Sequence, residues 1–455
     1  MARFTVQGAG LLPAGGPVTQ SYEARPAREL VGGFAVPGDK SISHRALMLS
    51  GIAEGRSEVT GFLPSEDCLA SMRAMQALGV AIERPAATRV IVEGAGMRGL
   101  RRAAGPLDMG NAGTAMRLFT GLLSAQDFDS VLVGDSSLMR RPMERVAKPL
   151  REMGADVRTA AGGTPPVDVR GGRPLRGIEY AMPVASAQVK SAIMLAGLYA
   201  DGPTTVLSPA VSRDHSERML QSFGVRVDVQ DLSVRVHPPK RLAARDVQVP
   251  GDFSSAAFFI VAGLLGAGAG GLLIENVGLN PSRTGLLEIL RLMGAEIEVV
   301  APRQSGAEPV ADLRVRRSAL RGIEVPKSLV PLAIDEFPVL FVAAACARGE
   351  TLITGAEELR VKESDRIAAM SAGFEALGVA HEVLADGMRI GGGEDNPFDG
   401  GTVDSHGDHR IAMAFTVASL RARRPIRILD VANVATSFPG FVALARSVGI
   451  DVHES

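Results

Sequence analysis

At 455 residues the chain is too long for one hydrophobic core, which predicts two domains, each large enough to bury a substantial interior. Its 49 basic residues balance 50 acidic ones. No net field gathers nucleic acid or an acidic membrane surface, so any anion chemistry has to rest on a few placed cations.

Taken in chain order, the first stretch holds Arg3 and GAGLLPAGG, an apolar run too short and glycine-broken for a secretory signal. The phrase VPGDKSISHR at 36–45 then opens the first of six helices that are apolar nearly all round. These are DKSISHRALMLSGIAEG, NAGTAMRLFTGLLSA, SAQVKSAIMLAGLYADG, DFSSAAFFIVAGLLGAG, DEFPVLFVAAACARG and GDHRIAMAFTVASLRAR. A helix without a polar face belongs in an interior. The longest apolar run, AAFFIVAGLLGAGAGGLLI, is studded with glycine and reads as buried helix followed by strand, not as a bilayer span. Each apolar helix is followed by a β-rich run such as SEVTGFL or GGLLIENV. Each repeat then carries a second helix that stops at a glycine, Gly79, Gly154, Gly224, Gly294, Gly378 or Gly449, followed by an alternating run. A glycine there predicts the left-handed residue that ends a helix and releases a strand. Leu286, Leu290 and Met293 mark the buried stripe of one such helix, and Ile367, Met370, Phe374 and Leu377 that of another. Six copies of helix, strand, helix, strand, divided three and three, predict two similar α/β domains. V-P-G-D-x-S occurs at 36–41 and again at 249–254, where the chain enters the first and fourth repeats. Proline and glycine there predict two strands crossing between a domain of residues 39–250 and one of residues 1–38 plus 251–455.

The polar ends of these helices carry the candidate chemistry. Helix N-termini offer unpaired N–H groups and a positive dipole end, so several converging on a cleft form an anion site before any side chain is counted. Here the ends also bring Lys40, Ser41, Arg45, Asn111, Thr114, Arg117, Ser186, Gln188, Asp408, His409 and Arg410, with Arg140, Arg141, Arg213, Lys362 and Arg366 in loops. For Asp252, Ser254 and Ser255 a capping role is the simpler reading. Lys40 and Arg45 place two cations at the positive end of one helix, which costs energy unless an anion is bound there. Asp335 and Glu363 read equally as a helix cap and a solvated charge, or as the acid and base of a reaction on a phosphorylated substrate. No Walker A sequence, dinucleotide fingerprint or metal-ligand cluster appears, and His44, His215, His406 and His409 are scattered, so no ATP, NAD or metal is implied. Cys68 and Cys346 give neither a disulfide framework nor zinc spacing; both read as buried apolar residues of a cytosolic protein.

PGDKSISHR, GNAGTAMR, MRRPMERV, SAQVKSA, DEFPVL, RVKESDR and GDHRIAM together resemble the 5-enolpyruvylshikimate-3-phosphate synthase family, from about Val36 to the C-terminus. The resemblance implies two inverse α/β-barrel-like domains joined by a two-strand hinge and closing over their substrates. It implies transfer of the enolpyruvyl group of phosphoenolpyruvate to the 5-hydroxyl of shikimate 3-phosphate, through a tetrahedral ketal phosphate. It assigns Lys40, Asp335 and Glu363 to catalysis. Lys40, Ser41, Arg45, Ser186, Ala187, Gln188, Arg213, Asp335 and Lys362 fall to shikimate 3-phosphate. Lys40, Asn111, Gly113, Thr114, Arg141, Gln188, Arg366 and Arg410 fall to phosphoenolpyruvate. Two departures stand out: Ala187 replaces a serine of some members, and DVANVATSFPGF lacks the lysine that some carry before T-F-P. Gly113 stands where glyphosate-resistant members often have alanine, which implies sensitivity to this competitor of phosphoenolpyruvate, although SAQVKSA, RDHSE and DEFPVL look more like the resistant subfamily. The expected protein is a monomer without cofactor, metal, nucleic-acid or membrane partner, its cleft held open without ligand by repulsion among its cations. The alternatives are a UDP-sugar enolpyruvyl transferase, against which Lys40-Ser41 and RVKESDR argue, and a non-catalytic binder, which would need neither Asp335 nor Glu363.

Overall fold

The computed structural model describes residues 20–455 apart from Arg28 and Glu394. Residues 1–19, assigned above to the second domain, lie outside the described residues. The apolar segments form the helices α1 (Lys40–Ile52), α2 (Gly113–Leu123), α3 (Ala187–Gly197), α4 (Phe253–Gly266), α5 (Phe337–Ala345) and α6 (His409–Ala418). All six are buried along nearly their whole length, as helices lacking a polar face must be. The first three belong to a core that runs from Ile42 to Val249. The other three belong to a separate core built from Tyr22–Val36 and Phe253–Val452. Contact within the first core is close enough to require glycine: a Cβ on Gly121 of α2 would lie 2.2 Å from the Ala192 carbonyl oxygen of α3.

Each repeat is richer than helix, strand, helix, strand. In the first, α1 leads to the strand Glu54–Thr60, the outer helix Glu66–Ala77, and a hairpin of Ala81–Ala86 and Arg89–Ala95. Glu54–Thr60 pairs in parallel with Val247–Gln248 and antiparallel with Arg89–Ala95. The same order, one parallel pairing followed by two antiparallel ones, recurs in the sheets of the other repeats. In the fifth the parallel position is held by a bridge between Glu324 and Leu352. The parallel strands escape a sequence reading because they are short: Leu107–Asp108 and Val247–Gln248 are two residues long and show no alternation. All six helix-ending glycines have positive φ, from 77° at Gly378 to 103° at Gly154 and Gly449.

Residues ahead of Pro37 pair with strands far along the chain. The strand β1 (Ser21–Arg25) lies between Ile426–Leu429 and Asp451–Glu454, antiparallel to both, and β2 (Gly33–Ala35) runs parallel to Leu272–Gly278. The two V-P-G-D segments cross side by side: Asp39 N donates to Pro250 O and Asp252 N to Pro37 O, each at 2.8 Å. Only glycine fits at 38, where a Cβ would lie 1.8 Å from the Gly61 carbonyl oxygen. Asp39 caps α1 by accepting from Ile42 N, and Asp252 caps α4 by accepting from Ser254 N and Ser255 N. Among the described residues no helix is long and apolar enough to cross a membrane. Cys68 and Cys346 are both buried and free.

Candidate active site

The N-terminal ends of all six helices face one cleft between the two cores, which encloses a cavity of about 500 Å³. Neither α2 nor α5 has a side-chain cap; in α2 the Gly113 N–H turns to the Asn111 carbonyl at 2.9 Å, and in α5 Pro338 has no N–H to offer. Every residue assigned above to catalysis or to either substrate lines this cavity, with the exception of Arg45.

On the first half, Lys40 Nζ donates to Asp67 Oδ2 at 3.0 Å and reaches across the cleft to Ser437 Oγ at 2.6 Å. Arg141 donates to Asn111 Oδ1 at 2.9 Å. Gln188 donates to Thr114 Oγ1 at 2.8 Å and accepts from Arg117, so the starts of α2 and α3 are joined. Ser186 caps α3 through Val189 N. Ala187 lines the cavity with no hydroxyl to offer.

On the second half, Asp335 sits in the short link ahead of α5 and caps nothing. Its carboxylate is instead surrounded by cations: Lys362 Nζ at 3.3 Å, Arg366 at 3.5 Å, and Arg213 from the opposite half. Burial alone would raise the Asp335 carboxyl, but Lys362, Arg213, Arg410 and Arg366 together hold it well below the usual range. Glu363 bridges Arg141 across the cleft at 3.3 Å and Arg366 at 2.6 Å. Burial would raise its carboxyl too, and Arg366, Arg141, His409 and Lys40 hold it well below the ordinary value. Arg366, only 1% exposed, is oriented by Asp408 at 2.8 Å, and Arg410 by the Asp335 carbonyl at 2.9 Å.

Two expectations need correction. Arg45 stands in α1 one turn beyond Ser41 and does not line the cavity; its guanidinium donates to the Ser41 carbonyl at 2.9 Å and to Ser191 Oγ and Ser216 Oγ at 2.7 Å. It meets the cleft only through Ser41, and the two cations at the α1 terminus are answered from within the protein, by Asp67 and these acceptors. Repulsion across the cleft is likewise offset, since Arg141, Arg213 and Arg145 each face a carboxylate of the other half: Glu363, Asp335 and Glu358. Asp67, Arg117, Arg145, Glu358 and His409, to which the resemblance assigns no substrate, also line the cavity. Arg117 gave a signal, as a charge one turn into an apolar helix. Burial, with Arg145 and Arg141 nearby, lowers it to about 9. These arginines gather cations on the wall beside Asn111, while the T-S-F-P segment contributes Ser437. Among the described residues no His, Cys, Asp and Glu group is arranged to hold a metal.

The fold matches that of the enolpyruvyl transferase NikO from Streptomyces tendae with a TM-score of 0.78 at 18% identity, over 96% of this chain and 99% of that one, a likeness of architecture. The model of the family described as EPSP synthase (3-phosphoshikimate 1-carboxyvinyltransferase) matches residues 24–444. The 3-phosphoshikimate 1-carboxyvinyltransferase of Alkalilimnicola ehrlichii is 58% identical over 94% of this chain and 96% of its own, and that of Methylococcus capsulatus 56% over 95% and 98%. The EPSP synthase structure from Acinetobacter baumannii superposes with a TM-score of 0.87 at 50% identity, covering 96% of this chain and all of that one. The chain belongs to the EPSP synthase family.

Proposed function

We propose that the cleft transfers the enolpyruvyl group of phosphoenolpyruvate to the 5-hydroxyl of shikimate 3-phosphate and releases phosphate. The observation that carries this reading is the buried Arg366, whose guanidinium holds Asp335 at 3.5 Å and Glu363 at 2.6 Å, two carboxylates on one cation within a wall of further cations. Asp335 takes the hydroxyl proton while Glu363 gives a proton to the methylene carbon, and the freed oxygen bonds to the adjacent carbon. The product is a tetrahedral ketal phosphate. Loss of a methyl proton and departure of phosphate with its bonding pair then restore the double bond. The cations stabilise charge as it develops. Ser41, Ser186, the Ala187 backbone, Gln188, Arg213 and Lys362 hold shikimate 3-phosphate, with Arg45 acting from behind Ser41. Asn111, Gly113, Thr114, Arg141, Arg366 and Arg410 hold phosphoenolpyruvate, and Lys40 touches both.

Residues 39–250 and residues 1–38 with 251–455 act as the two closing bodies, a division supported by their separate cores. The protein works as a monomer, since one chain lines the whole cleft, and in the cytosol, where its buried thiols stay reduced. Phosphate release is the test: it should require both substrates together. Release with a UDP-sugar in place of shikimate 3-phosphate, or none with the two substrates, overturns the reading.

A further inference from the structure

The two hinge caps share one cation. Arg283 NH1 donates to Asp39 Oδ2, and its NH2 to Asp252 Oδ1 at 3.1 Å, so a single guanidinium joins the caps of α1 and α4 where the chain crosses between the halves. Arg283 is 4% exposed and stands in the loop ahead of the outer helix Gly285–Leu292. That loop is tied to the first half as well: Asn280 donates to Asp214 Oδ1 at 2.6 Å and to Glu308 Oε2 at 2.8 Å, and His215 pairs with Glu308 at 2.7 Å.

The network also runs toward the cleft. Arg283 NH2 donates to Ser254 Oγ at 2.6 Å, and that hydroxyl donates to Glu336 Oε1. Glu336 Oε1 lies 3.7 Å from Arg410 NH1, which itself donates to the Asp335 carbonyl. A buried polar network is costly unless its members are satisfied, and apolar packing serves stability as well. A chain of contacts from hinge to cleft therefore points to a task beyond stability. Only a planar fork can meet Asp39, Asp252 and Ser254 at once.

We propose that Arg283 is a positioning residue that links domain closure to the phosphoenolpyruvate site: it holds the caps of α1 and α4 together as the halves turn and, through Ser254 and Glu336, fixes Arg410. This rests on the reading of the cleft given above.

The test uses the full chain, steady-state phosphate release, and small-angle scattering with and without shikimate 3-phosphate. Wild-type turnover is established first; its absence defeats the functional reading, whereas the outcomes below concern Arg283 alone. Arg283→Lys keeps the charge but loses the fork. It should raise KM for phosphoenolpyruvate tenfold or more, leave kcat within threefold, and abolish the compaction that shikimate 3-phosphate induces in the wild type. Should that variant fail to fold, the triple variant Asp39→Asn, Asp252→Asn, Arg283→Met decides, because asparagine still caps and no charge is left unpaired. It should show the same split. Glu336→Gln should raise the same KM several-fold with compaction retained. A wild type that does not compact, or hinge variants that melt earlier with KM unchanged, overturns the proposal.

Discussion

Glu363 accepts from Arg141 and Arg366, the two guanidiniums assigned to the phosphoenolpyruvate anion. It is also faced by Lys40, His409, Arg117 and Asp67. Held well below its ordinary value, it is ionised at neutral pH and has no proton to give. A bound anion that engages the same guanidiniums weakens their hold, raises the carboxyl, and makes binding take up a proton. The sign follows from linkage: with the bound value above the free one, affinity is greatest at low pH and falls as pH rises between the two values, by at most about tenfold per unit. Calorimetry of phosphoenolpyruvate binding in buffers of different ionisation heat should show the uptake in the wild type and less of it in Glu363→Gln. The same variant should bind shikimate 3-phosphate normally while kcat falls by about a hundredfold or more. Equal proton uptake in both proteins would sink the argument.

At Gly113 an added Cβ would lie 2.9 Å from Arg141 NH1 and 3.6 Å from Leu138 Cδ1. The flexible guanidinium gives way, at the cost of its place beside Asn111. Gly113→Ala should therefore raise KM for phosphoenolpyruvate several-fold and weaken glyphosate inhibition by more, since the longer ligand reaches further into the lost space. Inhibition constants for the two forms decide it, and an unchanged ratio of glyphosate to phosphoenolpyruvate affinity counts against it.

Among the elements, glycines of two kinds behave differently. Gly224 has φ 85° and nothing within 4 Å of an added Cβ, so Gly224→Ala carries only backbone strain, about 1 kcal/mol. Gly121→Ala drives a methyl into the α3 backbone and should cost about 3 kcal/mol or more. Thermal melts should rank them in that order; equal melting temperatures would mean that α2 and α3 separate freely. The first kind was legible in the sequence, because a left-handed helix end is a local demand. The second was not, because nothing in GNAGTAMRLFTG announces Ala192. The site divides in the same way. Lys40 stands out as a charge at the start of an apolar helix, Asp335 and Glu363 read equally as cap and solvated charge until the resemblance gives them roles, and the direction of a long side chain depends on packing. Arg45 lies one turn beyond Ser41 yet turns toward α3, and Lys40 finds Ser437, which is 397 positions away. The strands show the limit most clearly: the hairpins after the first five glycines are made by neighbouring residues, but the strand after Gly449 pairs with β1, whose place is set by segments at the other end of the chain.

At the scale of the molecule, Arg141, Arg213 and Arg145 form ion pairs across the cleft, and Arg145 with Glu358 at 3.2 Å joins two residues assigned to neither substrate. Both side chains are about a third exposed, so the pair contributes about 1 kcal/mol at most. Glu358→Ala should raise KM for phosphoenolpyruvate by no more than about fivefold at low salt, with the difference shrinking as ionic strength screens the charges. A salt-independent defect would assign Glu358 another role.

The position of β1 bears on how the chain can assemble. Ser21 N donates to Ser455 O at 3.0 Å, and the two residues are 434 positions apart. Ile426–Leu429 and Asp451–Glu454 are joined through β1, so until it inserts they present two bare edges of the kind that invites aggregation. During synthesis the strand made early has to wait for its neighbours, and the last sheet closes only through this distant pairing, a slow kind of step. The half from Asp252 onward, produced alone, should therefore be a receptor with an unfilled slot. A peptide covering residues 20–36, supplied in trans, should bind there and restore solubility; a fragment equally soluble without it would show that the sheet closes by another route.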